Sequence, residues 1–118
     1  FDTPVVVTNY PKAVMAFYKP HDPKKPDEAL CFDMLAPGGL EIVGGSQRSV
    51  DINELEESLK RDGEDPKDYN FYMDLRKYGS VPHSGYGVGI ERVLSWICNL
   101  DNVKDAIAFP RTMIRFSP

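Results

Sequence analysis

The sequence holds two cysteines, Cys31 and Cys98, far apart and each in an apolar context. Neither has a CxxC or Cys/His spacing, which argues against zinc and for two small buried hydrophobes in a reducing compartment. No apolar run approaches the roughly 20 residues needed to cross a bilayer. The first residues show no basic segment followed by an apolar one, so no signal peptide is read. Basic charge is not in excess either. Lys plus Arg number 14 against 18 Asp plus Glu, a net charge of −4, which argues against a histone-like or generally basic nucleic-acid binder. Internal repeats and low-complexity tracts are missing, and 42% hydrophobic with 27% charged residues excludes a disordered chain.

What is present fits one domain at most: 118 residues and 13.3 kDa, enough to bury roughly two thirds of the unfolded surface. Phe1 leads almost directly into the strand-like run Val5-Val6-Val7, and this abrupt start predicts a piece cut from a longer chain. Residues 3–8 read as a strand ended by Asn9-Tyr10-Pro11, and 12–18 are of ambiguous type. Residues 19–28 hold Pro20, Pro23 and Pro26 among charges and read as a surface loop, with His21 solvated. Two strands are expected over 29–35 and 40–50, the second interrupted by Gly44-Gly45. Pro37-Gly38-Gly39 between them predicts an antiparallel hairpin.

Asp51 is an N-cap candidate with Glu54 three residues on, as in a capping box. Ile52, Leu55 and Leu59 then follow helical spacing as far as Gly63. Asp65 caps a further helix with Pro66 at its first position. That helix carries Tyr69, Phe71, Tyr72, Met73 and Leu75, a band that needs burial, and stops near Gly79. A strand at 85–89 leads into a helix at 89–99. There Ile90, Val93, Leu94, Ile97 and Cys98 form a stripe predicted to pack against a sheet. The pattern is α+β, an antiparallel β-sheet flanked by helices, rather than an alternating parallel sheet.

Two segments carry chemistry. In Gly85-Tyr86-Gly87-Val88-Gly89-Ile90-Glu91-Arg92, alternating glycines strip one strand face of side chains, so a flat ligand could lie on the backbone. Arg92 follows in the first helical turn, where a guanidinium can stack on a base or clamp a phosphate, or simply join a surface ion pair. The spacing is neither a dinucleotide-binding fingerprint nor a phosphate-binding loop, since no GK[ST] follows. In Leu40-Glu41-Ile42-Val43-Gly44-Gly45-Ser46-Gln47-Arg48, Glu41 falls in a strand expected to be central. A carboxylate buried there must meet a metal or an arginine. Glu41 and Arg48 face opposite sides of a regular strand unless a bulge at Gly44-Gly45 resets the parity. His83, after Pro82, reads as a structural hydrogen-bonder in a loop.

The glycine–arginine segment resembles the third signature motif of class II aminoacyl-tRNA synthetases. The Glu41-to-Arg48 segment resembles the acid-to-arginine strand of their aspartyl, asparaginyl and lysyl subgroup. Ala16-Phe17-Tyr18, Asp74-Leu75-Arg76-Lys77-Tyr78-Gly79 with Pro82-His83-Ser84-Gly85, and Phe109-Pro110-Arg111 are most similar to the asparaginyl members. The resemblance runs over essentially the whole chain and implies the C-terminal portion, residues 1–118, of a class II catalytic domain.

It further implies that Arg92 holds ATP, with Gly87, Gly89, Ile90 and Glu91 at the nucleotide. Glu41 would bind Mg²⁺, and Arg48, beside Gly44, would reach the side-chain oxygen of the amino acid. Arg92 and Glu41 would be the catalytic pair. The expected reaction is attack of the asparagine carboxylate on the α-phosphate of ATP, then transfer to tRNA(Asn), in a homodimeric cytoplasmic parent without membrane contact. The absence of any Ser-His-Asp or Cys-His constellation agrees with catalysis by positioning and charge neutralisation.

Gly44 stands where aspartyl members carry Ser, and Met15 where relatives often carry Lys. The family's first and second motifs and its anticodon-binding barrel are not in the sequence, so the segment alone is expected to be inactive. An aspartyl enzyme, a synthetase-like asparagine synthetase that binds no tRNA, and a non-catalytic interaction module of the same fold are the alternatives.

Overall fold

The computed structural model describes residues 1–116. In chain order its elements are β1 (Val5–Thr8), β2 (His21–Asp22), β3 (Lys25–Ala29), β4 (Cys31–Leu35), β5 (Glu41–Gln47), α1 (Ile52–Arg61), α2 (Asn70–Lys77), β6 (Ser84–Val88) and α3 (Ile90–Ile97). One sheet has the strand order β1-β4-β5-β6, and β2 pairs with β3 in a second. The architecture is α+β with antiparallel sheets, as expected. Among the described residues no helix is long and apolar enough to cross a membrane. Contacts divide the chain into two compact units, one of residues 1–6, 33–44 and 87 onward, the other of residues 7–32 and 45–86.

In the first unit the turn after β4 closes through Ala36 N–H to the Leu40 carbonyl, 2.8 Å, and Gly39 N–H to the Ala36 carbonyl, 2.9 Å. Gly38 and Gly39 have φ of 86° and 85°, a left-handed backbone that glycine adopts at least cost. This is the predicted hairpin turn. Ala36 and Ile42 are buried, and the Gly89 N–H donates to the Ile42 carbonyl at 3.0 Å where α3 begins. α3 packs on the short helical turn Val103–Ala106. The expected burial of its stripe is not found: Ile90, Leu94, Ile97 and Cys98 are exposed. Periodicity reports that a helix is amphipathic, not what lies opposite its apolar face.

In the second unit the core is Leu55, Leu59 and Met73, with Phe17, Tyr18, Ile52, Tyr69 and Tyr72 packed around them. Phe17 meets Tyr18, Tyr69 and Tyr72 edge-on, with ring centroids 5.0–5.7 Å apart. Burying each leucine contributes about 2 kcal/mol. Asp51 caps α1 by accepting from the N–H groups of Asn53 (2.8 Å) and Glu54 (3.4 Å). The other half of the box is diverted, because the Glu54 carboxylate binds Ser49 and His21 instead. Asp65 caps a 3₁₀ turn, Pro66–Tyr69, which leads into α2. Met73 is buried, whereas Phe71 and Leu75, expected inside, are exposed.

The expected loop over 19–28 is instead the β2–β3 hairpin, in register His21↔Ala29 and Asp22↔Lys25. Its backbone groups have partners that composition does not reveal: Ala29 N–H bonds the Tyr10 carbonyl, and Leu30 N–H the Pro20 carbonyl. β5 also runs through Gly44 and Gly45 without the expected interruption.

Candidate functional site

The first unit carries Glu41, Gly44, Gly87, Gly89, Ile90, Glu91 and Arg92. Arg92, in the first turn of α3, donates through Nη1 to the Glu41 carbonyl at 2.9 Å. The same nitrogen lies 3.4 Å from Glu41 Oε2. Both side chains are 47% exposed, so Glu41 is not the buried carboxylate expected, and its cation is an arginine. Solvent lowers the energetic demand for a partner and leaves both groups free to meet a ligand.

A Cβ built on Gly44 would lie 2.8 Å from Glu41 Oε1 and 3.2 Å from Asp33 Oδ1. Gly44 therefore leaves open the space beside two carboxylates, and a side chain there would require the flexible end of Glu41 to shift. Asp33 was not singled out from sequence. The signal was available, since an acid stands in the middle of the apolar strand Cys31-Phe32-Asp33-Met34-Leu35. Two hard oxygen donors suit Mg²⁺, which binds through one or two carboxylates and completes its shell with water and phosphate oxygens. Among the described residues no cluster of three or more His, Cys, Asp or Glu side chains forms a complete protein cage.

At Gly87 an added Cβ would meet nothing within 4 Å, so the backbone is open to a ligand. At Gly89 it would meet Arg92 Cδ at 3.1 Å, so this glycine makes room for the arginine stem. Ile90 is 62% exposed. Glu91 is also exposed and gives its carbonyl to the Ser95 hydroxyl at 2.8 Å.

The second unit carries Arg48, just beyond β5. Its guanidinium carbon lies 4.8 Å from the Tyr18 ring centroid, and Nη1 donates to the Ser46 hydroxyl. A Cβ on Gly85 would sit 2.8 Å from Arg48 Nη2, so the absent side chain at Gly85 is what admits the guanidinium. The Arg48 N–H bonds the His83 carbonyl at 2.9 Å. His83 Nδ1 is 2.8 Å from the Val81 carbonyl, the structural role expected of it. Among the described residues no carboxylate pairs with Arg48, and it is half-buried. A guanidinium in that state can donate to a carboxylate or a carbonyl oxygen of a ligand.

His21 is exposed, as expected, and is also held: its Nδ1 and its backbone N–H each lie 2.9 Å from Glu54 Oε1. Burial alone would push the Glu54 carboxyl up. The His21 N–H, the Ser49 hydroxyl, the His21 ring and the Lys12 ammonium together bring it below its ordinary value.

The model of the class II tRNA synthetases (D, K and N) matches residues 1–113. The chain belongs to this family. Its whole length aligns at 51% identity with an asparagine–tRNA ligase of Pyrococcus abyssi, of which it spans 27%. The solved asparaginyl-tRNA synthetase of Pyrococcus horikoshii with asparaginyl-adenylate superposes with a TM-score of 0.93 at 51% identity, over 100% of this chain and 27% of that one. The aspartyl-tRNA synthetase of Entamoeba histolytica gives 0.88 at 30% identity, over 98% and 24%. The chain thus spans about a quarter of the length of these relatives.

Proposed function

We propose that the chain is the C-terminal portion of the catalytic domain of an asparagine–tRNA ligase. The observation that carries this reading is 51% identity along the whole chain with an asparaginyl enzyme, against 30% with an aspartyl one. The asparagine carboxylate attacks the α-phosphate of ATP in line, the bond from that phosphorus to the bridging oxygen breaks, and pyrophosphate leaves. The ribose hydroxyl at the 3′ end of tRNA(Asn) then attacks the acyl carbon and displaces AMP.

The residues take distinct parts. Gly87 leaves the backbone bare for the nucleotide, and Gly89, Ile90 and Glu91 shape the strand-to-helix turn beside it. Arg92, half-exposed on Glu41, swings to phosphate charge when ATP is present. Glu41 and Asp33 would hold Mg²⁺, which when bound would neutralise phosphate charge. Arg48, which pairs with no carboxylate among the described residues, takes the side-chain oxygen of asparagine. Gly44 keeps the space beside Glu41 clear. A homodimeric cytoplasmic parent that meets tRNA(Asn) belongs to the same reading and is supported by family membership.

The test is ATP–pyrophosphate exchange by the full-length protein. Exchange driven by asparagine and not by aspartate is expected. Exchange driven by aspartate would sink the asparagine assignment. Asparagine formation without tRNA charging would point to the synthetase-like alternative, and no exchange at all to a non-catalytic module. Arg48→Leu is expected to raise the KM for asparagine far more than that for ATP.

A further inference from the structure

Arg76, on α2, is 8% exposed. Among the described residues no carboxylate pairs with it, although an interior guanidinium is costly to desolvate. All three of its hydrogen bonds go to uncharged oxygens. Nη1 and Nη2 donate within α2, to the Tyr72 carbonyl at 3.2 Å and the Tyr72 hydroxyl at 2.7 Å, and the guanidinium lies 3.8 Å from that ring's centroid. The contact that leaves the helix is Nε to the Ser49 carbonyl, 3.2 Å.

Ser49 follows Arg48 directly and is 2% exposed. Each of its polar groups is used. Its N–H bonds the Tyr18 carbonyl at 3.0 Å, its hydroxyl donates to Glu54 Oε2 at 2.7 Å, and its carbonyl takes Arg76. On the other side, the Arg48 N–H is held by His83. The backbone is therefore fixed on both flanks of Arg48, and what it presents is a guanidinium over Tyr18 and against Gly85. An apolar residue at position 76 could fill the same volume without a buried charge but could not donate to Ser49.

We propose that Arg76 is a positioning residue for amino-acid recognition: by holding the Ser49 carbonyl it sets the direction in which Arg48 points. This rests on the reading of Arg48 as the contact to the amino-acid side chain. Arg76 touches no substrate in this role, and it acts only through Arg48.

The experiment uses the full-length protein and measures KM for asparagine and for ATP separately by pyrophosphate exchange. Arg76→Met keeps the length of the side chain and removes the donors. It is expected to raise the KM for asparagine about tenfold, with the KM for ATP changed less than about twofold. The double variant Arg48→Leu with Arg76→Met is expected to be no worse than Arg48→Leu alone, because the second residue has nothing left to position. Equal effects of Arg76→Met on both KM values, or single effects that multiply in the double variant, overturn the proposal while leaving the role of Arg48 intact. If Arg48→Leu itself leaves the KM for asparagine unchanged, the underlying reading fails and the proposal with it. Tyr72→Phe removes only the hydroxyl acceptor and covers the case in which Arg76→Met does not fold. A rise of about threefold in the KM for asparagine alone is expected there, and no rise overturns the proposal.

Discussion

Gly44 concentrates the chemistry of the first unit at one residue. An alanine there puts a methyl carbon 2.8 Å from Glu41 Oε1, closer than real Cβ contacts, so the flexible carboxylate end of Glu41 must shift. We predict that Gly44→Ala raises the Mg²⁺ concentration for half-maximal exchange about tenfold. Titrating Mg²⁺ against both proteins checks it, and an unchanged midpoint would remove the two-carboxylate site. Arg92 and Glu41 give a contrasting prediction. A pair exposed to this degree is worth about 0–1 kcal/mol, so Arg92→Ala should shift thermal unfolding by only a few degrees. It should nevertheless lower exchange by at least about a hundredfold. A large loss of stability with retained exchange would make the pair a structural one. Glu41 stood out as a charge in an apolar strand, Arg92 by its place in the first helical turn after the glycine-rich strand, and the role of Arg48 by the family resemblance. Asp33 sends the same signal as Glu41 more weakly. Arg76 sends none, since its burial depends on which segment lies across from α2.

The elements divide according to how local their causes are. The Asp51 cap, the glycines at the β4–β5 turn and the Asp65–Pro66 start follow from adjacent residues, and all were readable. Asp51→Ala should cost about 1 kcal/mol in chemical denaturation, whereas Leu55→Ala, which empties a fully buried position, should cost about 2–5 kcal/mol. Equal costs would mean that the Leu55, Leu59 and Met73 cluster is not the core it is taken for. The β2–β3 hairpin was unreadable because its prolines and charges look like loop. Pro26 nevertheless lies within β3 of a two-stranded sheet, the kind of place where a strand tolerates proline. The stripe of α3 shows the converse. Its period gives the helix correctly, and its exposure comes from tertiary context that periodicity does not encode.

At the scale of the molecule, Glu54 links distant parts of the sequence: Lys12, the His21 hairpin residue, Ser49 after β5 and its own helix α1. Its carboxyl is held below the ordinary value of 4.5, so it favours the folded state once ionised. That stabilisation is complete above the unfolded value and is lost as pH falls through the lower folded one. We predict that unfolding free energy drops on acidification below pH 4.5, and that Glu54→Gln flattens this drop. Denaturant melts of both proteins at several acid pH values test it, and parallel curves would exclude Glu54 as the source. Lys12 adds to this lowering of Glu54, while burial, with Arg61 beside it, lowers its own ammonium despite Glu54, so the pair is not a simple stabilising bridge.

The two thiols differ in a way that has practical use. Cys31 is 6% exposed inside β4, while Cys98 stands exposed at the end of α3. A maleimide dye added to the native chain should therefore attach once, at Cys98, and twice after denaturation. The unaltered sequence supplies its own single-point spectroscopic reporter, placed on the helix whose first turn carries Arg92, from which nucleotide titrations can be followed by fluorescence.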